Sequence, residues 1–176
     1  MMSASSLDEQ PLVMVRESLV DIPDYALPPG YSVRWYQPGD EHKWVAIQSL
    51  CYPPEAISLA LFRKEFADNR EALQSRQCYL LDGSRQPIGT ATAWFDDIYQ
   101  THSYGRIHWV AIVPGHQGLG LSKPLMTIVC DRLKALGHTK AYLTTSATRL
   151  IAVRLYRKFG FVEKLADTGV LADDNR

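Results

Sequence analysis

The chain of 176 residues is 46% hydrophobic and 22% charged, the balance of an ordinary folded domain, which excludes disordered, collagenous and coiled-coil classes and leaves room for one full-sized domain. Lysine plus arginine (19) and aspartate plus glutamate (19) cancel to a formal net charge of zero, so no overall field draws in nucleic acid or an anionic membrane, and recognition has to be local. Cys51, Cys78 and Cys130 are odd in number and form no CxxC pair, which argues against a disulfide framework or a zinc knuckle; no metal is expected.

No apolar run approaches the roughly 18 residues of a membrane span. The best one near the amino terminus, Leu12 to Val15, stops at Arg16 and Glu17; with the unpaired cysteines, this predicts a cytoplasmic chain without a secretory leader. Residues 1–30 are rich in Ser, Asp and Pro and read as a partly mobile N-terminal arm ahead of a domain over 31–176. Tyr31 to Tyr36 alternates like a strand, and Pro38-Gly39-Asp40 breaks it and leads into a helix through Trp44, Ile47 and Leu50. Pro53-Pro54 signals a second helix, over Ile57 to Leu73.

Strands at Gln77–Leu81 and Ile88–Trp94 flank Asp82-Gly83-Ser84-Arg85, the turn chemistry of an antiparallel hairpin, and Ile107–Val113 continues the meander. A glycine-rich turn, Pro114 to Gly120, opens a helix over Leu121–Leu136 that Gly137 closes. A strand at Ala141–Thr145, a helix at Arg149–Lys158 and a strand at Phe161–Leu165 complete the order. The expectation is a single-domain α/β (α+β) fold, a mixed, mostly antiparallel central sheet flanked by helices.

A glycine-rich loop between a strand and a helix exposes backbone N–H groups at the positive end of the helix, where phosphate binds. Gly115 and Gly120 have Walker spacing, but Leu121-Ser122 stand where Lys-Ser/Thr is required. Gly118 and Gly120 begin a dinucleotide fingerprint that Lys123 breaks. Glycines that merely allow close packing of the helix are the plainer alternative.

Ile112-Val-Pro-Gly-His-Gln-Gly-Leu-Gly-Leu-Ser122 resembles the acyl-CoA pyrophosphate loop of the GNAT N-acyltransferases, Gln/Arg-x-x-Gly-x-Gly/Ala. Gln117 and Gly120 match, Gly118 is also common there, and Ser122 departs from the small apolar last position. Ala152-Val-Arg-Leu-Tyr156-Arg-Lys-Phe-Gly160-Phe161 resembles the family's second signature, a tyrosine-bearing helix ending in Gly-Phe. The resemblance covers roughly Tyr31 to Leu165 in element order, and only the two motifs are distinctive.

The resemblance implies a GNAT-like fold with acetyl-CoA as co-substrate, held by Gln117, Gly118, Leu119, Gly120, Leu121 and Ser122. Arg149, where many members carry asparagine, either serves the coenzyme phosphates or is merely solvated. It also implies a backbone N–H near Ile112 and Val113 for the thioester oxygen, and Tyr156 as proton donor to the departing thiolate; the competing role for Tyr156 is a core tyrosine. Arg106 stands where a glutamate base often sits, and arginine cannot be one. His108 matches a position at which aralkylamine acetyltransferases carry histidine, and a strand histidine bonded to a neighbour is the equal alternative.

Trp94, Asp96 and Asp97 are candidates for binding an ammonium substrate, although a polar loop would look the same. A small-molecule primary amine is the expected acceptor, with no nucleic acid or membrane partner; a homodimer is left open. Arg106 also motivates a rival reading, a catalytically silent acyl-CoA-binding sensor or scaffold. A nucleotide-binding protein using the loop for ATP is the third.

Overall fold

In the computed structural model, which describes residues 11–53, 56–95 and 104–164, seven strands hydrogen-bond into one sheet. They are β1 (Pro11–Arg16), β2 (Ser32–Trp35), β3 (Gln77–Leu81), β4 (Pro87–Trp94), β5 (Tyr104–Ile112), β6 (Lys140–Ser146) and β7 (Val162–Glu163). The helices are α1 (Glu41–Cys51), α2 (Leu59–Glu65), α3 (Arg70–Arg76), α4 (Ser122–Ala135) and α5 (Leu150–Lys158). The sheet order is β2-β3-β4-β5-β6-β1-β7. All neighbours are antiparallel except β5 and β6, which α4 connects as a crossover. The mixed, mostly antiparallel sheet expected from the sequence is therefore present. No helix among the described residues is long and apolar enough to cross a membrane.

Two expectations are corrected. Residues 11–30 do not form a loose arm: β1 lies between β6 and β7, and Val13, Met14 and Val15 are all buried. An unalternating apolar run is what a strand covered on both faces requires. The chain beyond it is pinned too, Leu19 N–H donating to the Thr139 carbonyl at 2.8 Å and the Thr127 hydroxyl to the Pro23 carbonyl at 2.7 Å. The helix expected over Ile57–Leu73 is two helices. Ala67 and Asp68 both take φ of 50°, a left-handed pair that no α-helix continues through. Asn69 then restarts the chain, its Oδ1 accepting from the Ala72 N–H at 3.1 Å.

Alternation along the strands sends apolar side chains into two cores. One face gathers Met14, Cys78, Ala91, Ala93, Ile107 and Leu143 under Leu125, Val129 and Leu133 of α4. The other gathers Tyr79, Trp94 and Ala111 under Trp44 and Ile47 of α1 and Phe62 of α2. Gly105 of β5 faces Leu133 of α4 and His138 just beyond it. A Cβ there would collide with Leu133 Cδ2 and lie 3.0 Å from His138 Cγ. Because Leu133 can shift only within a packed core, Gly105→Ala is expected to cost about 2 kcal/mol, a fall of roughly 4–8 °C in the thermal midpoint. Calorimetry of the variant checks it, and an unchanged midpoint would show that α4 yields freely.

Candidate active site

β5 and β6 start side by side and then part. Their ladder runs only from Tyr104↔Lys140 to Arg106↔Tyr142, while β5 continues along β4 to Ile112 and β6 along β1 to Ser146. A gap therefore opens between the carboxyl ends of the one parallel pair, the usual place for a ligand in a sheet with a crossover. Both following helices, α4 and α5, begin at that end, so their positive N-termini flank it.

The glycine-rich loop closes the β5 side of the gap. Gly118 and Gly120 each take φ of 77°, and a Cβ on either would meet nothing within 4 Å. Backbone conformation, and not close packing, is what requires glycine there. Buried Leu121 anchors the loop among Leu80 and Ile88, whereas Leu119 is exposed. Among the described residues, the N–H groups from Gly118 to Ser122 donate to no carbonyl or side chain. The result is a row of unspent donors leading into α4, suited to phosphate oxygens. The Gln117 side chain turns back, its Nε2 donating to the Ile112 carbonyl at 2.8 Å.

One expected donor drops out. The Val113 N–H donates to the Ile88 carbonyl at 2.9 Å, so it has none left for a thioester oxygen. Alternation turns the Ile112 N–H the other way, toward the gap. Trp94 is likewise corrected: only 5% exposed and edge-on to Phe66 at 5.2 Å, it belongs to the core and not to an open mouth. Asp96 and Asp97 lie outside the described residues.

The register of β4 against β5 jumps from Thr90↔Ala111 to Thr92↔His108. The extra residue forms a bulge in β5, with Trp109 at φ 51° and its carbonyl accepting from Gln48 Nε2 of α1 at 3.2 Å. A bulge puts consecutive side chains on one face. His108 Nε2 accordingly lies 3.0 Å from Glu65 Oε2, and Trp109 Nε1 donates to the same oxygen at 2.9 Å. Burial pushes the Glu65 carboxyl up, but the His108 and Trp109 hydrogen bonds and the attraction of His108 and Arg106 outweigh it and hold the group at about 2. Arg106 itself lies over the Tyr142 ring, 5.9 Å from its centroid.

Across the gap, the Arg149 guanidinium donates to the Tyr52 hydroxyl and stacks on its ring, 4.5 Å from the centroid. Tyr52 also meets Trp109 edge-on at 5.5 Å. Tyr156, half-buried on α5, packs edge-on to Phe161 at 6.4 Å. Burial pushes its phenol up to about 12, with Tyr52 adding to the rise and Arg149 opposing it. The structure thus gathers Ile112, the loop, Arg149 and Tyr156 around one gap, with His108 on the bulge beside it. Sequence reasoning missed Tyr52, Gln48 and Glu65, none of which lies in either of the two distinctive motifs.

The Acetyltransferase (GNAT) family model matches residues 40–161. Mycothiol acetyltransferase of Pseudarthrobacter chlorophenolicus is 31% identical over 146 residues, 80% of this chain and 45% of that protein. The mycothiol acetyltransferase of Streptomyces coelicolor is 27% identical over 151 residues, 84% of this chain and 48% of that protein. The chain spans about half the length of the curated relatives it matches. Among solved structures, a GCN5-related N-acetyltransferase from Sphaerobacter thermophilus superposes with a TM-score of 0.72 at 22% identity, covering 88% of this chain and 48% of that one. Spermidine N-acetyltransferase from Vibrio cholerae, in complex with CoA and spermine, gives 0.60 at 22% identity over 78% of this chain and 84% of its own. These structural likenesses establish the fold alone.

Proposed function

Because the chain belongs to the acetyltransferase (GNAT) family, we propose that it moves an acetyl group from acetyl-CoA to a primary amine of a small molecule by direct attack on the thioester. The observation that carries the reading is the gap between β5 and β6, closed at one end by glycines held at φ 77° with unspent N–H groups behind them. The name that the sequence relatives carry, mycothiol acetyltransferase, supports a small-molecule acceptor.

The chemistry sets what the site must supply. An alkyl amine of pKa near 10.4 is only roughly 0.1% neutral near pH 7.4, so a nearby base raises the reactive fraction. His108, on the bulge, takes that proton directly or through a water. As the amine attacks, the thioester oxygen gathers charge, and the Ile112 N–H facing the gap stabilises it; a donor of this kind contributes roughly 3 kcal/mol. Collapse of the tetrahedral intermediate breaks the C–S bond and expels the thiolate, which Tyr156 protonates. The loop from Gln117 to Ser122 holds the pyrophosphate, with Arg149 at the mouth. No step calls for a metal.

Thermal unfolding with acetyl-CoA, coenzyme A, ATP and NAD in parallel tests the first step. At about 100 times its dissociation constant, a ligand adds roughly 2.7 kcal/mol, on the order of 5–10 °C for a chain of this size. Acetyl-CoA and coenzyme A are expected to raise the midpoint, and ATP and NAD are not. A shift by ATP alone overturns the reading. A shift by acetyl-CoA with no turnover on a broad amine panel points instead to a silent acyl-CoA sensor.

A further inference from the structure

α2 is a short helix that sends three side chains into one place. Its N-cap, Ser58, accepts from the Leu61 N–H at 3.1 Å. Phe62 on α2 and Phe66, its C-cap residue, are buried against Trp44 at ring separations of 5.3 and 5.8 Å. Glu65, the last residue of α2, is thereby delivered onto the β5 bulge. Phe66 lies edge-on to the His108 ring at 5.6 Å, and Glu65 Oε2 stands 3.0 Å from His108 Nε2 while accepting from Trp109 Nε1 at 2.9 Å. The His108 side chain is 8% exposed and that of Glu65 is 23% exposed. Such an arrangement exceeds what the fold needs to cover an apolar face, since a carboxylate brought under partial cover has to be offset by its partners.

We propose that Glu65 is a positioning residue for acetyl transfer: its carboxylate fixes the His108 ring with the proton on Nε2, so that the lone pair used to accept the proton of the amine sits on Nδ1. This rests on the reading of the protein as an N-acetyltransferase. In a neutral imidazole one nitrogen donates and the other accepts, and a carboxylate partner decides which. Trp109 holds the same oxygen from the neighbouring position, which keeps the carboxylate from following any other donor. The coupling depends on the bulge: without the extra residue, His108 and Trp109 would point to opposite faces, and one carboxylate could not hold both.

Among the described residues, Glu65 comes from α2 and Arg106 from β5 itself, whereas α1 presents Trp44 and Gln48, and β4 presents Thr92, opposite His108 in register, and Trp94. The Glu65 anion favours the imidazolium, so it raises the pH below which His108 is protonated and no longer accepts a proton. Removing the charge must move that limit down.

Glu65→Gln keeps the shape and an oxygen acceptor but removes the charge. In the wild type, kcat/KM on the best amine of a panel falls on the acid side as His108 protonates. In Glu65→Gln the acid limb is expected to move about one pH unit lower, with the plateau reduced roughly 10–100-fold, as for other partners that orient an imidazole. Glu65→Asp keeps the charge and brings the limb back toward the wild-type pH. Nitrogen-15 NMR of the His108 ring gives a reading independent of turnover. It should show the Nε2–H tautomer in the wild type and a titration midpoint about one unit lower in Glu65→Gln. A retained thermal shift with coenzyme A shows that the variant is folded. An Nδ1–H tautomer in the wild type, or an unmoved midpoint and limb, overturns the role of Glu65 while leaving acetyl transfer intact. A wild type that turns over no amine overturns the transfer reading and the positioning role with it.

Discussion

Tyr156→Phe is expected to lower kcat for acetyl transfer by roughly 100-fold or more and to leave the thermal shift with acetyl-CoA as it is in the wild type. The substitution removes one oxygen and keeps the ring that packs against Phe161, so the gap and the loop are preserved. What is lost is a proton donor. Burial, with Tyr52 adding to it, holds the phenol at about 12, and it therefore stays protonated throughout the working pH range. The leaving thiolate has an ordinary pKa near 8.5, so without a donor the intermediate can still collapse, but back toward the amine more often. The same placement of Tyr156 predicts that its ionisation causes no alkaline fall in wild-type rate below about pH 10. Measuring kcat and KM separately for the wild type and for the variant, from acid to alkaline pH, checks both parts. Unchanged kcat would return Tyr156 to the status of a core tyrosine.

The elements that could be read from the sequence were those whose pattern is local. The β3–β4 hairpin announces its turn at Asp82-Gly83, and α4 is bounded by the Gly118–Gly120 loop and by Gly137. β1 is not legible in the sequence because its apolar run, Val13 to Val15, is short and sits in a Ser- and Pro-rich stretch; its partner strands β6 and β7 lie far along the chain. The break between α2 and α3 was legible only in Asp68-Asn69, residues equally at home inside a polar helical turn. At the site, the loop and Tyr156 lay in recognisable motifs, and His108 was visible on its strand. The bulge that turns Trp109 beside His108 left no mark, since tryptophan at φ 51° is not a residue whose type suggests a left-handed conformation. Glu65 was invisible for a related reason: it meets His108 through the packing of Phe62 and Phe66, and tertiary packing has no spacing in sequence. Val113 shows the reverse error, a residue correctly placed beside the gap whose N–H the ladder had already claimed.

Asp40→Ala is expected to destabilise the fold by about 3–5 kcal/mol, lowering the thermal midpoint by roughly 10 °C, and to reduce activity although Asp40 lies outside the gap. The Asp40 side chain, 3% exposed, accepts from both guanidinium nitrogens of Arg34, at 2.6 and 2.9 Å, from Lys43 at 2.8 Å and from the Gln37 N–H at 2.7 Å. Its carbonyl accepts from the Tyr79 hydroxyl at 3.0 Å. One residue therefore joins the end of β2, the start of α1 and the middle of β3. Burial alone would push the carboxyl up, but Arg34, Lys43 and the Gln37 N–H hold it at about 2. Lys43 is half exposed and contributes little; the loss comes from leaving the Arg34 charge under cover without its bidentate partner. The folded-state value lies below the ordinary 3.8, so the stabilisation is complete above that value and disappears as pH falls from about 4 toward 2. Urea unfolding at neutral pH and near pH 3 should accordingly show a gap between wild type and variant that narrows in acid. A gap independent of pH would assign the effect to lost packing and not to the charge. The cost to activity follows from α1, because Asp40 fixes its first turn, Gln48 farther along it supports the Trp109 carbonyl, and Tyr52 just past its end meets Arg149 across the gap.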